Sequence, residues 1–125
     1  MNNPQDIHNV IQGDFHLYEE AFAKALQSDN TLLSEVLDYV HSKQGKQLRP
    51  ILVLLSAALC RGVTPKSIQT AVALELMHTA SLIHDDVVDD SPLRRGSQSV
   101  HSLWNNKIAV LVGDYLLTRV IDILA

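Results

Sequence analysis

The amino-acid sequence predicts an all-α fold, a bundle of helices around an apolar core. Apolar residues recur at helical spacing along most of the chain, and no segment shows a sustained alternation with period two. The five glycines and four prolines fall where helices should begin or end. Of the 125 residues, 46% are hydrophobic and 19% charged, which is enough for about one small domain with a packed core.

Five helices are expected, and capping residues, glycine or proline mark several of their ends. Their predicted ranges are 3–26, 30–41, 49–62, 64–90 and 107–125. Two of them open with a capping residue followed by proline, as Asn3-Pro4 and Thr64-Pro65. Pro92 ends the fourth helix, because the residue before a proline avoids the helical conformation, and a loop is expected over 91–97. The third helix is apolar almost all round at 51–55, which predicts a place inside the bundle.

Composition excludes several classes of protein. The net charge of −4 argues against a general nucleic-acid-binding surface, so any bound anion must be held by a local basic cluster. Cys60 is the single cysteine, which rules out an intramolecular disulfide and a multi-cysteine metal site and fits a reducing, cytoplasmic setting. No secretory signal opens the chain, and its longest apolar stretch, 50–60, is far shorter than the roughly 20 residues of a membrane span.

Four acids close the fourth predicted helix, namely Asp85, Asp86, Asp89 and Asp90. Asp85 and Asp89 are four residues apart and share a helix face, with Asp86 on its flank. The helix macrodipole disfavours anions at this end, and no lysine or arginine lies at the neighbouring helical positions. We therefore expect a cation from elsewhere, and Mg²⁺ fits because it is usually held by one or two carboxylates and by substrate phosphates. A solvated acidic helix end is the alternative.

Basic residues lie on both sides of these acids in the sequence. Arg94 and Arg95 follow in the loop, and guanidinium groups bind phosphate oxygens in pairs. Lys46 and Arg49 come at the start of the third helix, where free N–H groups also favour anions. His78 lies seven residues before the first acid, on nearly the same helix face. We predict that all five converge on one cavity mouth, although each could alternatively be an ordinary solvated or hydrogen-bonded side chain.

Four segments together resemble the trans-polyprenyl diphosphate synthases. They are GKQLRP at 45–50, ELMHTASLIHDDVVD at 75–89, LRRG at 93–96 and LVGD at 111–114. Their order, spacing and residue types agree over about residues 40–120. Two departures are Gln44 and Gln47, where the family usually has glycine and arginine, and these bear on substrate affinity.

The resemblance implies a prenyltransferase that joins isopentenyl diphosphate to an allylic diphosphate with Mg²⁺. Asp85 and Asp89 would bind the metal, and Asp86 would support them. Arg94 would contact the allylic diphosphate and complete the catalytic set with the three aspartates. The residues implied for isopentenyl diphosphate are Lys46, Arg49, His78 and Arg95.

The resemblance also implies the architecture. Residues 1–125 would be the N-terminal part of a single helical domain with the isoprenoid synthase fold. The domain is expected to continue, because the chain stops within an apolar helix that has no capping glycine. A cytoplasmic homodimer is implied. The family's second aspartate-rich motif is absent from this sequence, so the chain alone is expected not to turn over substrate.

Small residues one turn before the acids predict a long product. In this family, large aromatic residues there stop chain growth early, whereas Ala80 and Ser81 leave the way open for an octaprenyl-like length. The alternative is that these small residues simply allow close helix packing.

Three other functions stay open. A terpene cyclase uses a similar acidic motif, but it has no need of Lys46, Arg49 and Arg95 to hold a second diphosphate. A non-catalytic partner subunit would tend to lose the acidic motif, which is intact here. A catalytically incomplete fragment of a synthase is the third.

Overall fold

The computed structural model describes residues 4–125, with side chains described from Val10 onward. Within that part the chain forms six helices and one two-stranded hairpin. In chain order they are α1 Pro4–Ala25, α2 Thr31–Ser42, α3 Leu48–Cys60, α4 Pro65–Val88, β1 Leu93–Arg94, β2 Ser97–Gln98, α5 Val100–Leu103 and α6 Asn106–Leu124. The predicted all-α class is confirmed, whereas the predicted cap at Asn3 lies outside the described residues.

Side-chain caps set the starts of three helices. The Thr64 hydroxyl accepts a hydrogen bond from the Ser67 N–H, and Ser67 accepts one from the Thr64 N–H in return, so α4 opens with a reciprocal capping box. Asn30 caps α2 at 2.9 Å and Asn105 caps α6 at 2.8 Å through their side-chain oxygens. The caps of α2 and α6 each satisfy a backbone N–H, of Leu33 and of Ile108, that would otherwise lack a partner.

α4 lies at the centre of the fold and packs against α1, α3, α5 and α6. Its core face presents Leu76, Ala80 and Ile83, and α6 meets it with Val112 and Leu116. The largest fully buried side chains include Tyr18 and Phe22 of α1, whose rings lie 5.7 Å apart between centroids. The acidic end of α4 is therefore held by packing on several sides.

The structure adds to two predictions about the elements. Within residues 10–125, one face of α3 packs on α1 and α4 and the other is exposed, so its predicted place inside the bundle stays a prediction. Ile51 and Leu54 are buried there, while Leu52 and Leu59 are 62% and 81% exposed. The expected loop over 91–97 contains the β-hairpin, followed by the short α5, since two-residue strands are too short to show an alternating pattern.

Candidate functional site

One cavity of about 460 Å³ opens between the α2–α3 connection, α4 and the hairpin. It is lined by all five basic residues that the sequence predicted would converge, namely Lys46, Arg49, His78, Arg94 and Arg95. None of the aspartates at the end of α4 lines it. Arg94 connects the two groups, because it lines the cavity and also binds Asp86.

The hairpin turn places the two arginines on different neighbours. β1 pairs with β2 in an antiparallel register, and the turn consists of Arg95 and Gly96, both in the left-handed region at φ 53° and 81°. The hairpin is tied to α2 because the Tyr39 hydroxyl donates to the Gln98 carbonyl at 2.6 Å. The Trp104 ring meets the Tyr39 ring edge-on at 5.5 Å. These contacts hold the turn over the end of α4.

Arg94 forms a forked ion pair with Asp86. Its Nη2 donates to Oδ1 at 2.5 Å and its Nε to Oδ2 at 3.3 Å. The Asp86 side chain is 6% exposed and that of Arg94 41%. The hydrogen bond with Asp86 raises the pKa of Arg94, and this outweighs the opposing effect of burial. Of the four acids, Asp86 is therefore neutralised by a cation from the chain itself, Arg94.

Asp85 and Asp89 remain unpaired within the described residues. Both are exposed, Asp85 in the last turn of α4 and Asp89 as its C-cap. In residues 10–125 no group of three or more acidic, histidine or cysteine side chains is arranged to hold a metal ion. The chain thus presents two free carboxylates on either side of a third that is neutralised by Arg94.

The basic loop before α3 approaches the hairpin at Gly45. The Arg95 guanidinium occupies the space that a Cβ on Gly45 would fill, so a side chain at this position would displace it. Lys46, Arg49 and Arg95 make no ion pair within the described part of the chain. Burial lowers the pKa of His78, and the positive charges of the neighbouring arginines lower it further. The electrostatic potential in the cavity is therefore positive, which suits a multiply charged anion.

Glu75 was missed by the sequence analysis. It lines the cavity and is 4% exposed, and its Oε2 has no hydrogen-bond partner. Burial raises the pKa of Glu75, while the charges of Arg49 and Arg95 oppose that rise. The available signal was a lone acid within the apolar stretch of α4, three residues before His78.

His84 was also missed. Its Nε2 lies 3.2 Å from the Val110 carbonyl and 3.4 Å from the Asp114 carboxylate of α6. The imidazole packs against the backbone of Gly113 so closely that a Cβ there would overlap the ring. The residue preceding the acidic cluster thus joins the end of α4 to α6.

Comparison with known proteins decides the family. The family model described as polyprenyl synthetase matches residues 30–125. The chain belongs to the polyprenyl synthetase family. The family resemblance drawn from the sequence is therefore confirmed.

Several of the similar proteins are synthases of long prenyl chains, and matching solved structures also include geranylgeranyl pyrophosphate synthases. The chain is 41% identical over 121 residues to an all-trans-nonaprenyl-diphosphate synthase (geranyl-diphosphate specific) of Rhodobacter capsulatus, covering 96% of this chain and 37% of that protein. A decaprenyl diphosphate synthase structure from the same organism matches with a TM-score of 0.89 and 35% identity, covering 96% of this chain and 37% of that one. A Caulobacter crescentus polyprenyl synthase complexed with calcium and isoprenyl diphosphate matches with a TM-score of 0.88 and 32% identity. The match covers 94% of this chain and 36% of that one.

This polyprenyl synthetase chain therefore spans a little over a third of the length of the relatives it matches. The domain boundaries predicted from its sequence stay a prediction. Between residues 4 and 125 no helix combines the length and apolar character needed to cross a membrane.

The two small residues before the acids have different environments. Ala80 is 1% exposed within the core, which fits the close-packing alternative for this position. Ser81 is exposed on the same face of α4 as Asp85, and its hydroxyl donates to the Met77 carbonyl at 3.0 Å. Neither lines the basic cavity. The argument for a long product therefore rests on Ser81.

Proposed function

We propose that the protein condenses isopentenyl diphosphate with an allylic diphosphate to build a long all-trans polyprenyl diphosphate. The observation that carries this proposal is a cavity ringed by Lys46, Arg49, His78 and Arg95 that adjoins two unpaired carboxylates through Arg94. Two anionic substrates need two such regions side by side, one for each diphosphate. The long-chain products named for the relatives support the same chemistry in the intact protein.

Asp85 and Asp89 fit a divalent cation and would hold Mg²⁺. They offer hard oxygen ligands on adjacent turns, and Mg²⁺ usually takes one or two carboxylates together with substrate phosphates. The calcium and isoprenyl diphosphate bound by the Caulobacter crescentus relative support a divalent cation in such a site. When bound, the metal would neutralise the charge that grows on the departing diphosphate.

The chain's own cations would bind and orient the substrates. Lys46, Arg49, His78 and Arg95 would hold the diphosphate of isopentenyl diphosphate, which brings its double bond near the allylic carbon. Arg94 would contact the allylic diphosphate through Nη1, because its Nε and Nη2 are engaged by Asp86. Asp86 would act through Arg94 by fixing its direction.

The reaction balances without a further reagent. The allylic C–O bond breaks and its electron pair leaves with the diphosphate. The double bond of isopentenyl diphosphate supplies the electrons of the new C–C bond, and one proton is lost to form the new double bond. The positive charges of the cavity stabilise the negative charge on the leaving group.

The test is product formation by the full-length protein that carries these residues. With isopentenyl and farnesyl diphosphates we expect elongated prenyl diphosphates that require Mg²⁺. The Lys46→Ala variant should raise the KM for isopentenyl diphosphate, while Lys66→Ala, which removes an exposed lysine outside the cavity, serves as the matched control. The proposal would be refuted if the wild-type protein made no elongated product, with or without added Mg²⁺.

A homodimer is proposed on the apolar residues that α6 leaves exposed, Leu111, Ile121 and Leu124. Sedimentation of the full-length protein would measure its assembly, and a monomer at micromolar concentration would refute this part. The cytoplasmic location stays a prediction from the composition.

A further inference from the structure

Glu75 is the single acidic side chain lining the basic cavity in the described part of the chain. It lies one turn before His78 on α4, and it makes neither an ion pair nor, at Oε2, a hydrogen bond. A carboxylate that is 4% exposed and incompletely paired costs free energy. An apolar residue would serve the core better at this position, which points to a role other than packing.

Two kinds of group act on Glu75. Arg49 at the start of α3 and Arg95 in the hairpin turn line the same cavity, and their positive charges oppose the rise in its pKa, although neither makes an ion pair with it. The Tyr18 hydroxyl of α1 is fully buried without a partner, and the pKa of Tyr18 is raised by burial and then by the charge of Glu75. The carboxylate therefore acts on the two guanidinium groups through its charge, within one shared cavity.

We propose that Glu75 is a positioning residue, whose carboxylate sets the directions of the Arg49 and Arg95 guanidinium groups for diphosphate binding. This inference rests on the proposed function. The five lysine and arginine side chains that line the cavity repel each other, and without a central anion they would spread towards water. A guanidinium group has five N–H donors, so each can face Glu75 and still offer donors to a phosphate. Such preorganisation strengthens binding because less ordering remains to be done when the ligand arrives.

A purely electrostatic view of Glu75 predicts the opposite result. A carboxylate beside a diphosphate repels it, so its removal should tighten binding. The positioning role predicts weaker binding when the charge is removed, although the buried charge itself destabilises the fold. Affinity and stability should therefore change in opposite directions, which a merely structural role would not produce.

The experiment compares Glu75→Gln and Glu75→Asp with the wild-type full-length protein. Glu35→Gln removes the same charge at an exposed site of α2 and is the matched control. Titration calorimetry would measure binding of isopentenyl diphosphate and of inorganic pyrophosphate, and thermal unfolding would be recorded for each variant. Steady-state kinetics would separate the KM for isopentenyl diphosphate from kcat.

For Glu75→Gln we expect binding weakened about tenfold, a typical coupling within one charge network, with an unchanged or higher Tm. KM should rise with little change in kcat, and Glu75→Asp should recover part of the affinity. Equal or tighter binding by Glu75→Gln, or a lower Tm, would overturn the inference while leaving the proposed function intact. A wild-type protein that binds neither ligand would overturn both.

Discussion

The ion pair between Arg94 and Asp86 makes an asymmetric prediction about stability. Its two side chains differ in exposure, at 41% for Arg94 and 6% for Asp86. Arg94→Gln leaves a buried carboxylate without its cation, whereas Asp86→Asn leaves a guanidinium group that water can still reach. The first variant should therefore lose more stability than the second, although the two remove the same contact.

The magnitudes follow from that burial. Removing one partner of a fully buried pair costs about 3–5 kcal/mol, and the exposure of Arg94 places Arg94→Gln near the lower limit, at about 3 kcal/mol. For Asp86→Asn, solvent screening reduces the loss to about 1 kcal/mol. Each kcal/mol shifts the Tm of a folding unit of 125 residues by about 4 °C, so for this chain the decreases in Tm should be about 12 °C and 4 °C.

Thermal unfolding followed by circular dichroism would measure both variants. Arg61→Gln and Asp38→Asn alter exposed residues without ion pairs and provide the matched controls. Equal decreases for the two variants, or a larger decrease for Asp86→Asn, would refute the assignment of Asp86 as the buried partner.

Three further predictions concern α4 and its contacts. Gly113→Ala should destabilise the fold by about 1–3 kcal/mol because the new methyl group overlaps the His84 ring, and His84→Ala in the same chain should restore most of that loss in urea denaturation. In the full-length protein Ser81→Phe should shorten the prenyl product seen by chromatography, while Ala80→Phe should lower the Tm because it overfills the core. Burial raises the pKa of Glu75 above its ordinary value of 4.5, so the folded state favours the protonated carboxyl. Glu75 therefore contributes its full stability below pH 4.5, and this contribution is lost as the pH rises through the raised pKa of the folded state. The free energy of unfolding of wild type relative to Glu75→Gln should therefore decrease across that pH window.

Each of these three predictions would be contradicted by a different result. Failure of His84→Ala to relieve Gly113→Ala would mean that the clash lies elsewhere. An unchanged product distribution in Ser81→Phe would remove the argument for product length. A wild-type advantage over Glu75→Gln that grows with pH would contradict the sign expected for a buried acid.

Local signals predicted most of the helices. Thr64 caps α4 as predicted, and α2 begins next to the predicted start at Asn30. Pro92 follows an α4 that ends at Val88, two residues earlier than predicted. The exposure of α3 could not be predicted, because an apolar sequence does not reveal which of its faces finds a partner. Leu52 and Leu59 illustrate this, since both are apolar and exposed.

The convergence of the basic residues was predictable, but their pairing was not. Arg94 reaches Asp86 eight residues away only because the chain turns back between the end of α4 at Val88 and the start of β1 at Leu93. The hairpin that follows uses a left-handed conformation at Arg95, a residue type that gives no signal for it. Glu75 was overlooked because a single acid in an apolar helix is indistinguishable in sequence from one at the surface. Its burial depends on α1 and α3, which approach it from distant parts of the chain.

The hairpin sends two adjacent arginines to opposite destinations, Arg94 down to the acidic helix and Arg95 across to the glycine of the basic loop. The opposite directions of these two side chains depend on the number of residues in the hairpin, since a shift of one residue along a strand turns its side chains to the other face. An insertion or deletion of one residue between 91 and 98 would therefore cost both contacts at once. We therefore expect this short segment to tolerate most substitutions better than a change in its length.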